Sequence, residues 1–257
     1  MHLRRVAALT LLIPFATAAC GGAEEAAAPA TPASNEPAAA APDLSQAGGI
    51  AGSVTFTGEA PAGEAIQMAA DPFCLSAHSE AVMSAPVMVD ADGGLMNVVV
   101  HISGGLEGYA FPDATEPALI NQTGCVYEPH VLAMQTGQTI AVLNSDDTLH
   151  NVNVQPTNNP AFNQGQPLAG MELERIFENV EIGIPARCDV HPWMGAFISV
   201  FDHPYFSVST EAGAFSIPQL PPGDYVIEAW HETLGTLTQN VTVAANETAA
   251  VSIEFGS

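Results

Sequence analysis

The stretch most informative about the fold reads Cys188-Asp189-Val190-His191-Pro192-Trp193-Met194, in which cysteine, histidine and methionine follow the spacing C-x2-H-x2-M. A second histidine, His150, lies well before it, in the stretch Asn144-Ser145-Asp146-Asp147-Thr148-Leu149-His150-Asn151-Val152. One thiolate, two imidazoles and one thioether form a soft donor set that suits copper in both oxidation states. Because His150 is distant in sequence, the four donors meet only in the folded chain. The sequence therefore predicts a mononuclear copper site.

The chain around this segment has the pattern of β-strands. Short runs rich in β-branched and aromatic residues are bounded by Gly, Pro, Asn and Asp. No long helical pattern follows residue 48, although a short helix is expected over residues 76–83. The clearest strand-like runs are residues 54–57, 98–102, 138–143, 152–154 and 197–201. We predict an all-β protein built from two β-units.

Residues 95–203 resemble the cupredoxins, and the short C-x2-H-x2-M loop with Pro192 after its histidine is most similar to the amicyanin/plastocyanin-like blue copper domains. The resemblance implies a Greek-key β-sandwich. It also implies that His150 and His191 are the imidazole ligands, Cys188 the thiolate and Met194 the weak axial ligand. A single cysteine in the loop excludes a dinuclear copper centre.

The resemblance assigns roles to three neighbours of these ligands. Asn151 is expected to tie the two ligand loops together through its side-chain amide rather than to bind the metal. Pro192 and Trp193 are expected to form an apolar patch for partner docking, where the imidazole of His191 reaches the surface. Trp193 is equally compatible with a place in the core.

The cysteines allow two assignments. If Cys20 is lipidated, three cysteines remain and one of them is unpaired. A copper site that uses Cys188 leaves Cys74 and Cys125 as a disulfide pair, whereas the competing assignment pairs Cys188 with one of these two. Cys74 and His78 also have a C-x3-H spacing, but isolated pairs of this kind are usually unrelated. His101 and His130 receive no role, and His203 and His231 are expected to be structural or exposed.

The C-terminal part carries a second resemblance. Its central stretch reads Leu220-Pro221-Pro222-Gly223-Asp224-Tyr225-Val226-Ile227, a Pro-Pro-Gly turn followed by an alternating strand. This resembles the carboxypeptidase regulatory-like sandwich, a transthyretin-type module without catalytic residues of its own. We therefore divide the chain into a copper domain at residues 48–203 and this sandwich at residues 204–257. Residues 48–58 resemble that family's opening strand, so the copper domain is either inserted in the second sandwich or contains this strand itself.

The N-terminus has the layout of an export signal. Two arginines precede a mostly apolar stretch over residues 6–15, and residues 16–19 are small. The stretch resembles a bacterial lipobox ending at Cys20, with an ordinary signal peptide as the alternative. We expect a signal peptide at residues 1–19, a lipidated Cys20 and an Ala/Pro-rich linker at residues 20–47. The expected location is the periplasm or cell surface, on the outer membrane.

The charge balance limits the partners. The chain has 28 acidic and 4 basic residues, a formal net charge of −24. Nucleic acid and anionic lipid surfaces need Lys or Arg, so membrane contact is expected only through the lipid anchor. We predict a non-catalytic electron carrier whose redox partner has a basic docking face. The acidity is equally typical of proteins from saline habitats. The alternatives are a non-catalytic cell-surface interaction module with incidental metal binding and a copper-handling protein.

Overall fold

The structure is a computed structural model that describes residues 39–84 and 86–256. The predicted signal peptide, Cys20 and the first part of the linker lie outside the described residues. The all-β prediction is confirmed, since these residues form eighteen strands and one short helix. No helix among them is long and apolar enough to cross a bilayer.

The elements follow one another as separate short strands joined by turns. In the first half they are β1 (Gly48–Thr57), β2 (Glu64–Ala65), α1 (Pro72–Ser76), β3 (Met83–Ser84), β4 (Val99–Gly104), β5 (Ala118–Thr123), β6 (Val126–Glu128), β7 (Val131–Gln135) and β8 (Thr139–Asn144). In the second half they are β9 (His150–Val154), β10 (Phe162–Gln166), β11 (Glu172–Ile176), β12 (Glu181–Arg187), β13 (Gly195–Phe201), β14 (Phe206–Val208), β15 (Ala214–Leu220), β16 (Gly223–His231), β17 (Gly235–Val243) and β18 (Thr248–Gly256).

A first β-sandwich contains all four predicted metal ligands. Its five-stranded sheet has the order β10-β9-β12-β13-β7, and its four-stranded sheet has the order β11-β8-β5-β6. Alternate residues of both sheets point inward, as the two-residue period of a strand requires, and form one apolar core. The pairs β13–β7 and β5–β8 are parallel, and between the two strands of each pair the chain passes through the other sheet.

A second β-sandwich combines strands from both ends of the described chain. Its sheets have the orders β15-β1-β18 and β14-β4-β16-β17, and a separate apolar core lies between them. Strands β1 and β4 therefore pair with strands that follow residue 204, and the boundaries at 48–203 and 204–257 do not follow the sheets. The alternating pattern of a strand shows which face is buried, but it carries no information about a partner that is far away in sequence.

The short helix also lies earlier than expected. Helix α1 spans Pro72–Ser76 instead of residues 76–83. The side chain of Asp71 caps it by accepting hydrogen bonds from the backbone N–H groups of Phe73 and Cys74, and Pro72 occupies the first turn, where its missing N–H costs nothing. An Asp-Pro start is a sequence signal for a helix N-terminus.

The two sandwiches share an apolar joint. Val99 of the second sandwich packs in one buried cluster with Val131 and Phe201 of the first. Beside it, Gly183 has a φ of 72°, and a Cβ at this position would collide with the indole of Trp230. The described residues accordingly belong to one compact unit.

Candidate metal centre

Three of the predicted ligands lie on the loop that joins β12 to β13. Arg187 pairs with Gly195 at the end of this hairpin, and the N–H of Cys188 donates to the carbonyl of Met194 at 3.2 Å. Within the loop, the N–H of His191 donates to Cys188 Sγ at 3.4 Å. Such a contact stabilises the negatively charged thiolate, which is the form of cysteine that binds metals.

His150 reaches the same place because it begins β9, the strand beside β12. The Nδ1 atoms of His150 and His191 lie 2.9 Å apart, and Cys188 Sγ lies 3.9 Å from Nδ1 of His191. These three side chains are buried, and so is Met194, which belongs to the same core cluster. Two imidazole nitrogens and one sulfur therefore converge on one point in the interior. Their chemistry suits copper.

Asn151 connects the two ligand-bearing segments. Its side-chain oxygen accepts from the backbone N–H of Asp189 at 2.6 Å, and its side-chain nitrogen donates to Asp189 and Asn163. The backbone carbonyl of Asn151 also accepts from the hydroxyl of Tyr127 at 2.7 Å. These contacts hold the start of β9 against the loop that follows Cys188.

Each imidazole has a carboxylate at its outer nitrogen, and neither contact was predicted from the sequence. Asp146 Oδ2 lies 2.9 Å from Nε2 of His150, and Asp71 Oδ2 lies 3.1 Å from Nε2 of His191. A carboxylate there favours the tautomer with the proton on Nε2, which leaves Nδ1 free to bind a metal. Burial lowers the pKa of His150, although the hydrogen bond and charge of Asp146 oppose that shift. The Asp146-x3-His150 spacing is the one sequence signal that points to this contact.

The imidazole of His191 does not reach the surface, which corrects the expectation drawn from the cupredoxin resemblance. His191 is 2% exposed, and its Nε2 faces Asp71 and the sulfur of Cys74 at 3.6 Å. Trp193 is half-buried, and its indole N–H donates to the carbonyl of Cys125 at 3.0 Å. Pro192 is exposed beside this covered edge. Helix α1 and the Trp193 ring occupy the place where a docking surface at His191 was expected.

The cysteines divide between a disulfide and a free thiol. Cys74 and Cys125 form a disulfide with a Cα–Cα distance of 5.5 Å, and Cys188 is the free cysteine among the described residues. The bonded sulfur of Cys74 is not available for a metal site with His78, whose Nε2 instead lies 2.6 Å from the carbonyl of Gly124.

The remaining histidines of the described residues, His101, His130, His203 and His231, lie at or near the joint between the sandwiches. His101 contacts Glu228 at 3.4 Å and His130 contacts Glu232 at 2.7 Å, both through Nε2. His203 and His231 are buried, and each accepts a backbone hydrogen bond at Nδ1. These contacts are structural.

Comparisons with known proteins find copper proteins among similar solved structures. A Cu-containing nitrite reductase from Thermus scotoductus SA-01 is 21% identical, with a TM-score of 0.32, over 39% of this chain and 25% of its own. A purple cupredoxin from Nitrosopumilus maritimus is 28% identical, with a TM-score of 0.28, over 32% of this chain and 98% of its own. A mutant of amicyanin in the reduced Cu(I) form is 19% identical, with a TM-score of 0.30, over 34% of this chain and 84% of its own. This chain thus spans a quarter of the nitrite reductase. No family model and no curated protein matches the sequence.

Proposed function

We propose that this protein is a mononuclear type 1 copper protein that transfers single electrons between redox partners. The observation that carries the proposal is the convergence of Nδ1 of His150, Nδ1 of His191 and Sγ of Cys188 in the core of the first sandwich. Two histidines, one cysteine and a weakly bound axial methionine, here Met194, are the ligand set of electron-transfer copper sites. Copper bound there would supply a one-electron couple between Cu(I) and Cu(II).

The chain's own contribution is a rigid and dry donor set. The four side chains are buried, and hydrogen bonds from Asn151 and within the loop fix the segments that carry them. Donors that are already in place need little rearrangement when the metal changes charge. Four protein ligands also leave no position for a substrate, in contrast to catalytic metal sites, which keep one open. The protein is therefore an electron carrier in this proposal, and no catalytic step is assigned to it.

The partner in this proposal is a redox protein with a basic docking face. The described residues contain 2 of the chain's 4 basic residues, Arg175 and Arg187, and 25 of its 28 acidic ones. The electrostatic field of such an acidic surface accelerates encounters with a positively charged surface, and salt screens this attraction. The rate of electron transfer is expected to fall as ionic strength rises.

The remaining parts of the chain would place this electron carrier in the cell. A signal at residues 1–19 and a lipid on Cys20 would export and anchor it, and the linker would separate it from the outer membrane. In the proposal the second sandwich is a carboxypeptidase regulatory-like module without catalysis. It supports the copper sandwich through the apolar joint at Val99, Val131 and Phe201.

The test is voltammetry of the full chain after titration with Cu(II). The proposal expects one copper per chain and a reversible one-electron wave, with electron exchange to a basic redox protein that slows as salt is added. A folded chain that binds no copper, or binds it without a reversible wave, would contradict electron transfer. That result would favour the interaction module.

A further inference from the structure

The outer nitrogen of His191 contacts a carboxylate that belongs to neither ligand-bearing segment. Asp71 Oδ2 lies 3.1 Å from Nε2 of His191 and also accepts from the hydroxyl of Thr148 at 2.9 Å. Its other oxygen accepts from the N–H groups of Phe73 at 2.8 Å and Cys74 at 3.4 Å. Both oxygens are thus held by groups other than the imidazole, so the carboxylate is oriented independently of His191.

The segment that carries Asp71 is fixed covalently to the first sandwich. Cys74, in helix α1, forms the disulfide with Cys125, at the turn between β5 and β6. The N–H of Cys125 donates to Asp146 Oδ2 at 2.7 Å, the same oxygen that contacts His150. The N–H of Cys74 holds the carboxylate of Asp71, and the N–H of Cys125 holds that of Asp146. One disulfide therefore links the two backbone groups that hold a carboxylate beside each imidazole.

We propose that Asp71 is a positioning residue for the copper ligand His191 and that its charge biases the site toward Cu(II). This inference rests on the function proposed above. An imidazole that donates to a carboxylate is a more basic ligand. A negative charge close to the metal also favours the higher metal charge by Coulomb attraction, strongly so in a buried site. Both effects stabilise Cu(II) relative to Cu(I), and Asp71 at the same time covers the ring edge.

The first test is the reduction potential of the full-length Asp71→Asn variant. Asparagine is as good a helix cap as aspartate, so the amide oxygen keeps the hydrogen bonds to Phe73 and Cys74 while the charge is lost. We expect a folded, copper-binding variant whose affinity for Cu(II) relative to Cu(I) falls about tenfold, which corresponds to a potential about 59 mV higher. Asp147→Asn is the matched control, because Asp147 is exposed and its variant loses the same charge near the site. The control is expected to shift the potential much less.

The second test uses the metal-free protein. In the wild type, nitrogen-15 NMR at alkaline pH should show His191 with its proton on Nε2. In Asp71→Asn the amide NH2 faces the ring, so the proton should move toward Nδ1, the nitrogen that binds copper. Asp71→Ser, which keeps a helix cap but does not reach the ring, replaces Asp71→Asn if circular dichroism shows that the latter is unfolded.

The outcomes separate this inference from the proposed function. A variant that keeps its colour and fold with an unchanged potential and tautomer, or with a shift equal to that of Asp147→Asn, overturns the role of Asp71 alone. A wild-type chain that binds no copper overturns the proposed function and the bias toward Cu(II). The tautomer measurement would still decide whether Asp71 positions His191.

Discussion

The Nδ1 atoms of His150 and His191 lie 2.9 Å apart in the interior of the first sandwich, with their Nε2 atoms turned outward to Asp146 and Asp71. When both rings carry their proton on Nε2, neither Nδ1 has an N–H to donate, so the two facing lone pairs repel each other unless a cation lies between them. The carboxylates favour the tautomer in which both rings are acceptors at Nδ1. This arrangement is the one a metal needs, and the sulfur of Cys188 completes it.

Replacement of Met194 by leucine tests the axial position. Leucine conserves the volume of the buried side chain, so the free energy of unfolding should change by less than about 1.5 kcal/mol. The intense blue colour should remain, because Cys188 and both histidines are intact. The potential should rise, since a weak donor to Cu(II) is lost, and a tenfold change in the Cu(II) to Cu(I) affinity ratio corresponds to about 59 mV.

The matched control is Met134→Leu in the same core cluster but on β7, away from the ligand loop. Its potential should equal that of the wild type. Equal shifts in the two variants would show that Met194 acts through packing only.

Replacement of Asn151 by alanine should weaken the connection between the two ligand-bearing segments. The change removes the acceptor for the N–H of Asp189 and leaves that group without its partner. We expect a loss of about 1–3 kcal/mol in the free energy of unfolding of the metal-free protein. Copper affinity should fall about 10- to 100-fold, as measured by competition with a chelator.

Asn153→Ala is the control, because Asn153 donates only to the exposed side chain of Asp189, at 2.9 Å. Asn153→Ala should lower the free energy of unfolding and the copper affinity less than Asn151→Ala does. If the two variants are indistinguishable, the backbone contact of Asn151 is not what holds the loop.

We predict that His130 makes the stability of the joint between the sandwiches depend on pH. Burial opposes protonation of this ring, but the hydrogen bond and charge of Glu232 outweigh it and raise the pKa of His130 above its usual value. The stabilisation by the charged pair is therefore fully present below the unfolded-state pKa of about 6.5 and is lost as pH rises through the folded-state value. The difference in stability between wild type and His130→Gln should be larger at pH 5.5 than at pH 9.

Denaturant unfolding of both proteins across this range measures the effect. In a Glu232→Gln background, the His130→Gln substitution should lose most of its pH dependence, since the carboxylate that raises the pKa is absent. A stability difference that grows as pH rises would contradict this assignment.

Gly183 is predicted to be the most size-sensitive position at the joint. Alanine there meets the indole of Trp230 and must also adopt a left-handed backbone, with φ at 72°. Overpacking of this kind costs about 1–3 kcal/mol, and the backbone strain adds to it. Gly165→Ala in β10 is the matched control, because its Cβ meets open space. Thermal unfolding should show a clearly lower Tm for Gly183→Ala and little change in Tm for the control.

The grouping of His150, Cys188 and His191 is the part of the candidate site that the sequence predicts most fully. The C-x2-H-x2-M spacing places three donors on one tight loop, and His150 follows a strand pattern that ends in polar residues. Asp71 was not predictable, because it lies far in sequence from both ligand-bearing segments. A short helix and a disulfide place it beside His191. Its local signal, an aspartate before Pro72, indicates a helix start and nothing about a metal.

The strand runs were predictable, but their partners were not. Runs of β-branched and aromatic residues identify residues 54–57 and 98–102 as strands; the first run lies in β1, and residues 99–102 of the second lie in β4. Their pairing with β18 and β16 depends on contacts across more than a hundred residues, which no local pattern encodes. The all-β class was therefore predictable, whereas the distribution of strands between the two sandwiches required the structure.

The most direct test of the central claim is the pair of visible and electron paramagnetic resonance spectra of the full chain and of Cys188→Ser after addition of Cu(II). We expect an intense blue band and a narrow copper hyperfine splitting in the wild type, both from the thiolate-to-copper bond. Serine removes the sulfur and nearly preserves the size of the side chain, so the variant should fold and lack both signals. A wild type that folds without the blue band, or a Cys188→Ser variant that keeps it, would contradict the proposed copper site.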